Sequence, residues 1–187
     1  MESLGTYLNF HTTAAAVAFL FATSSGPAFA QTLTVTATGT IPTTCGLTAA
    51  SGFGTANLNA NGTVSASASV TCNAKYIIKA TSANGGLKTA TAAPSSSFSN
   101  KLDYTLSISV PLDNGGGTVS GNCAASNLVA GASMCALSPA STGLSSGTGT
   151  SVGQTASLGI NWTLPGATRL IAGSYSDTLT ITIAAQP

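Results

Sequence analysis

A chain whose apolar residues recur at every second position can bury one face of a strand but no face of a helix, and this alternation runs through most of the sequence. In QTLTVTATGTI, residues 31 to 41, Leu33, Val35, Ala37, Gly39 and Ile41 alternate with an unbroken series of threonines. DTLTITI repeats the pattern near the other end, with Leu179, Ile181 and Ile183 set against Thr178, Thr180 and Thr182. Between them, TVSASASVTC aligns Val64, Ala66, Ala68, Val70 and Cys72, and LDYTLSISV aligns Leu102, Tyr104, Leu106, Ile108 and Val110. QTASLGINWTLP adds Ala156, Leu158, Ile160, Trp162 and Leu164; YIIKA adds a shorter run from Tyr76 to Ala80, and Cys45 with Leu47 marks another after Pro42. No segment sustains a helical period. About seven strands joined by Gly/Ser/Asn-rich loops predict an all-β sandwich of immunoglobulin-like type. The stretch from Asp113 to Gly153, with many glycines, Pro139 and two cysteines, reads as an irregular loop with a short strand at Thr118 to Ser120.

The first thirty residues stand apart from this pattern. AAAVAFLFA, residues 14 to 22, is too short to span a bilayer, and GPAFA after it ends in the small-residue signature of a leader-peptidase site. Residues 1 to 30 are therefore expected to be a secretory signal peptide, although they contain no Lys or Arg. Cleavage after Ala30 removes 30 of the 187 residues and leaves 157, enough for one domain with a real core. Nothing later is long and apolar enough for a membrane helix, so no membrane insertion of the mature chain is expected.

Charge is sparse. One of the four acidic residues, Glu2, falls in the leader, so the mature chain keeps five basic and three acidic side chains. That excludes a basic patch for nucleic acid and a polyacidic tail. With 43% of residues hydrophobic and regularly spaced, a folded β protein is favoured over disorder, and its surface is expected to consist mainly of Ser, Thr, Asn and Gly. Such a surface offers little charge repulsion against association.

All four cysteines, Cys45, Cys72, Cys123 and Cys135, lie in the mature part, and an even count in an exported chain implies disulfides. Of the three pairings, Cys45 with Cys72 and Cys123 with Cys135 are the nearest in sequence, the second within one Gly-rich loop. The first bridge is expected to be buried, and closing its loop would stabilise by about 3–4 kcal/mol on the chain-entropy account. A zinc site is disfavoured, because there is no C-x-x-C and no mature histidine.

Catalytic chemistry finds no foothold. GTSVG, residues 149 to 153, matches the nucleophile-elbow pattern, but the single histidine, His11, belongs to the leader. Asp103, Asp113 and Asp177 are scattered, with no sign of a converging carboxylate pair. Asn61-Gly62-Thr63 and Asn161-Trp162-Thr163 match the glycosylation pattern, yet the first reads as a turn and the second falls inside a strand. Trp162 shares the parity of Leu158 and Ile160 and is read as core rather than as a ligand-stacking ring. No enzymatic activity, metal or cofactor is expected.

The order Cys45, then Val70-Thr71-Cys72, then Tyr76, L-x-Y-x-L at Leu102 to Leu106, and AGSYSDTLTITI at Ala172 to Ile183 resembles the spore coat protein U domain family. That family includes subunits of the archaic, Csu-type chaperone-usher pili. The resemblance covers most of the mature chain, and the closing A-G-x-Y-x-D-T motif is its most specific part. The middle departs from the pattern: no Trp-Gly-Asp segment follows the L-x-Y-x-L strand, and a cysteine-bearing loop stands there.

The resemblance implies an incomplete immunoglobulin-like sandwich, six strands plus an N-terminal donor strand. Residues 1–30 would be the signal peptide, 31–41 the donor-strand extension and 42–187 the spore coat U or pilin domain. Leu33, Val35, Ala37, Gly39 and Ile41 would be the donor positions, and Tyr175, Leu179, Ile181 and Ile183 the acceptor edge. A periplasmic chaperone would fill the groove first, and the extension of a neighbouring subunit would replace it at the outer-membrane usher, a case of β-augmentation. The implied product is a secreted pilus on the cell surface serving adhesion or biofilm formation. A self-complete secreted β-sandwich, either a coat protein or a carbohydrate-binding tip domain, is the alternative, because pairing within and between chains uses the same periodicity.

Overall fold

The computed structural model describes residues 38–49 and 51–186. The chain divides into Met1–Gly39 and Thr40–Pro187; all but two residues of the first unit lie outside the described residues, and the second is the body considered below. Its described residues form twelve strands: β1 (Cys45–Ala49), β2 (Gly62–Cys72), β3 (Tyr76–Ser82), β4 (Leu87–Lys88), β5 (Phe98–Ser99), β6 (Lys101–Leu102), β7 (Tyr104–Pro111), β8 (Thr118–Ala124), β9 (Leu144–Ser145), β10 (Ser151–Trp162), β11 (Arg169–Leu170) and β12 (Leu179–Ala185). The fold is an all-β sandwich. One sheet runs β1-β2-β10-β7-β8 and the other β12-β3-β9, with the two-residue strands β4-β6 and β5-β11 pairing outside them.

The period-two pattern accounts for the core. Val70, Cys72, Tyr76, Leu106 and Leu158 point between the sheets, while their odd neighbours in sequence face outward. Tyr76, Leu102, Leu106, Leu128, Leu137, Val70 and Val110 are the largest fully buried side chains, each stabilising the fold by about 1.5–3 kcal/mol relative to exposure. Tyr76 buries its ring while its hydroxyl sits 2.8 Å from Ser151 Oγ, which in turn donates to the Pro111 carbonyl at 2.7 Å. Trp162 is buried, as its parity predicts, and its indole N–H donates to Ala60 at 2.9 Å.

The order of the long strands has a direct reading. In a seven-stranded immunoglobulin sandwich one sheet holds strands A, B, E and D and the other C, F and G. Here β1, β2, β10 and β7 occupy A, B, E and D, and β3 and β12 occupy C and F. Among the described residues no strand stands at G, beside β12.

Two expectations are corrected. The region from Asp113 to Gly153 is not one loop: β8 extends four residues past Ser120 to Ala124 and pairs with β7 along its whole length, as a strand additional to the six expected. Its inward series, Val119, Gly121 and Cys123, is hard to recognise as apolar alternation because glycine sits in the middle. A Cβ at Gly121 would lie 3.1 Å from the Leu144 side chain, which packs into the space the glycine leaves. Cys123 therefore lies on a strand, and only Cys135 is in a loop. Likewise the segment from Leu102 to Val110 is broken at Asp103, whose exposed carboxylate pairs with Lys101 at 3.1 Å.

Both disulfides join the expected partners, Cys45 to Cys72 and Cys123 to Cys135. Cys45 and Cys72 are directly opposed in the β1–β2 ladder. Cys72 is fully buried, but Cys45 is only half-buried, because β1 is the edge of its sheet.

Candidate functional site

The feature that sets this body apart is the edge of β12. Strand β12 pairs antiparallel with β3 from Leu179↔Ser82 to Ala185↔Tyr76. Just beyond its two ends, Ala83 N–H donates to the Thr178 carbonyl at 3.0 Å and Gln186 N–H donates to Lys75 at 2.8 Å. Backbone groups alternate in direction along an antiparallel strand. Even-numbered residues of β12 therefore spend their N–H and C=O on β3, while Leu179, Ile181, Ile183 and Ala185 aim theirs away from it. Among the described residues these groups have no strand partner.

Their side chains are equally unfinished. Leu179, Ile181 and Ile183 face the core but are only half-buried, and Leu47 on β1 is half-buried across from them. At the Leu179 end an open cavity of about 860 Å³ lies over Trp162 and Tyr104, walled by Phe53, Leu58, Leu87 and Leu170. Protein interiors close to crystal-like density and leave few voids larger than a water molecule. This one is an open cleft with an apolar floor, and Asn57, Asn59, Ser174, Ser176 and Asp177 stand among its lining residues.

The segment leading into β12 is fixed by its polar residues. The hydroxyls of Ser82 and Tyr104 both donate to Asp177 Oδ2, the second at 2.6 Å, and the backbone N–H groups of Asn84 and Thr178 donate to Oδ1 at 3.0 and 2.8 Å. Burial, together with the neighbouring Asp177 carboxylate, pushes the Tyr104 phenol far above its ordinary range, so it remains a donor. Tyr175 donates to the carbonyls of Ile171 and Ser99 at 2.9 and 3.2 Å. Gly173 adopts φ of 154°, and a Cβ there would lie 2.9 Å from Thr89 Oγ1. The residues of the A-G-x-Y-x-D-T motif thus hold the strand at the cavity rim.

The expected site residues fall as follows. Leu33, Val35 and Ala37 lie outside the described residues. Gly39 and Ile41 are exposed and in no strand, Ile41 being 88% exposed. Leu179, Ile181 and Ile183 share one edge, but Tyr175 precedes the strand and lines the cavity instead. Phe53, Leu58 and Leu170 carry no periodic signal in sequence, since each sits in a loop or a two-residue strand. In sequence Asp177 stands as one scattered acid; its place immediately before a threonine-alternating strand is the available signal.

Other motifs resolve into structure. Ser151 of GTSVG is fully buried between Tyr76 and Pro111. Asn61 accepts from Leu164 N–H at 2.7 Å and Asn161 donates to Thr63 at 2.8 Å, binding β2 to β10. Asp113, held below the usual carboxylate range by donation from Gln154, Thr150 and Val152, ties the end of β7 to the start of β10. Among the described residues no three of His, Cys, Asp and Glu gather as metal ligands, and no helix is long and apolar enough to cross a membrane.

No family model, curated protein or solved structure matches this chain.

Proposed function

We propose that the chain is a structural subunit of a surface fibre assembled by donor-strand exchange, a pilus of the chaperone-usher kind serving adhesion or biofilm formation. The observation that supports this most is the outward-facing backbone of Leu179, Ile181, Ile183 and Ala185 beside an apolar cavity. A strand laid there would complete both the hydrogen-bond ladder and the core. The resemblance of the Cys45, Cys72, L-x-Y-x-L and A-G-x-Y-x-D-T features to the spore coat protein U family supports the same reading. Residues 31–41 supply a suitable strand, uncharged and alternating. At about 3.3 Å per residue the eleven residues reach about 36 Å, more than the length of β12. On this reading the partners are neighbouring copies, a periplasmic chaperone and an outer-membrane usher, the leader directs export, and the chain carries no catalysis.

The test separates polymerisation from folding. Val35→Asp puts a charge into a groove that excludes water, at a cost of several kcal/mol, without touching the described core. Export, disulfide formation and chaperone binding should persist while fibres are lost. Ile181→Asp should abolish folding, because Ile181 packs on the body's own core. Unheated samples of the wild type should give SDS-resistant ladders. A Val35→Asp chain that unfolds as severely as Ile181→Asp would assign the strand to its own domain and favour the self-complete module.

A further inference from the structure

The outer face of the five-stranded sheet carries aligned rows of short side chains with no ionisable group among them. The registers set Ser67, Ser157, Ser109 and Ser120 in one row across β2, β10, β7 and β8. The next row holds Ser65, Gly159, Ser107 and Asn122, and the next Thr63, Asn161, Thr105 and Ala124. Thr71 and Ser69 continue β2 opposite Gly46 and Thr48 of β1. Every outward position in these rows is Ser, Thr, Asn, Gly or Ala. The ionisable groups lie off these rows: Asp103, paired with Lys101, and Asp113 sit beyond the two ends of β7, and Lys79 is on β3 of the other sheet. Gly159 keeps the face low, for a Cβ there would come within 2.6 Å of Ser107 Oγ.

From this placement we infer that the face is a lateral docking surface for the same face of a second copy, distinct from the β12 edge. Hydroxyls and amides both donate and accept, so the face is complementary to itself, whereas a charged face would meet its own sign. No charge has to be desolvated, and short side chains surrender little rotamer freedom compared with Lys or Glu. Five strands about 4.8 Å apart, averaging about nine residues, cover roughly 24 by 30 Å, or about 700 Å². A pair would bury about 1,400 Å², within the range of stable interfaces. In a fibre, such contacts would join neighbouring filaments side by side.

The experiment uses sedimentation equilibrium of the full mature chain, as wild type and as Val35→Asp, over about 1 to 100 μM, where an interface of this size responds to mass action. The Val35→Asp chain removes donor-strand polymers, which resist SDS, and should still rise about twofold in mass through a contact that SDS dissolves. Ser65→Lys with Ser157→Lys, both exposed, should hold the mass at that of the monomer. Thr180→Lys with Ala184→Lys, exposed on the opposite sheet, should leave the rise intact. Near-ultraviolet circular dichroism confirms that each variant is folded. A Val35→Asp chain that stays monomeric at every loading overturns the inference, as does equal loss in both lysine pairs. Retention of a purely monomeric chain on an insoluble polysaccharide, abolished by Ser65→Lys with Ser157→Lys, would also overturn it and give the face to glycan instead.

Discussion

Asp177 carries the most concentrated polar load at the groove, and its removal has a magnitude that the geometry sets. Its carboxylate accepts two hydroxyls and two backbone N–H groups, bringing β3, β7 and the entry to β12 to one point. Hydrogen bonds to a charged group contribute about 1.5–3 kcal/mol each in isolation, but those sharing one acceptor are not additive. The larger cost of Asp177→Ala is the Tyr104 hydroxyl, left without an acceptor at a residue only 3% exposed. Asp177→Ala should therefore destabilise by about 3–4 kcal/mol in urea titrations, and Asp177→Asn, which keeps an acceptor, by about half as much. Tyr104→Phe in the Asp177→Ala background should recover about 1 kcal/mol by deleting the orphaned group. If Asp177→Ala costs less than about 0.5 kcal/mol, the network is peripheral and β12 is held by packing alone.

Replacing Cys45 and Cys72 together by alanine opens a loop with a sequence separation of 27 and should cost about 3 kcal/mol, read in urea as a fall in midpoint with a steeper slope, because the unfolded chain without the cross-link expands and exposes more surface. Gly62→Ala places a Cβ 2.5 Å from the Trp162 ring and should cost about 1–3 kcal/mol, with a change in tryptophan fluorescence. The raised Tyr76 and Tyr104 phenols stabilise the fold fully below the ordinary tyrosine value of 10.0, and that contribution drains away as pH climbs above it, because the unfolded chain ionises first. Stability should thus fall in alkali above about pH 10, and Tyr104→Phe should flatten the decline.

Much of the architecture is legible in the sequence because period-two alternation is a local property. The inward series of β2, β7 and β10 can be read without knowing what each strand pairs with, and so can the parity of Trp162 and both cysteine pairs. Strand β8 is obscured where Gly121 interrupts the apolar series to admit Leu144. The cavity wall was out of reach for a different reason: Phe53, Leu58 and Leu170 converge only through tertiary placement. Asp177 shows the same limit, since its partners Ser82 and Tyr104 are 95 and 73 residues away in sequence. The hydroxyl rows on the outer face exist only once register is known. Along each strand the serines look like ordinary solvated positions.

Amide hydrogen exchange along β12 tests the central claim most directly. In a monomeric Val35→Asp chain, Thr180, Thr182 and Ala184, whose N–H groups face β3, should be protected, while Leu179, Ile181, Ile183 and Ala185 exchange freely. Adding a peptide of residues 31–41 with the wild-type sequence, or examining assembled wild-type fibres, should bring the four odd residues to the protection of their even neighbours. Odd-numbered amides already protected in the wild-type monomer, at every concentration and with no effect of the peptide, would contradict the account. The edge of β12 would then be closed from within the chain.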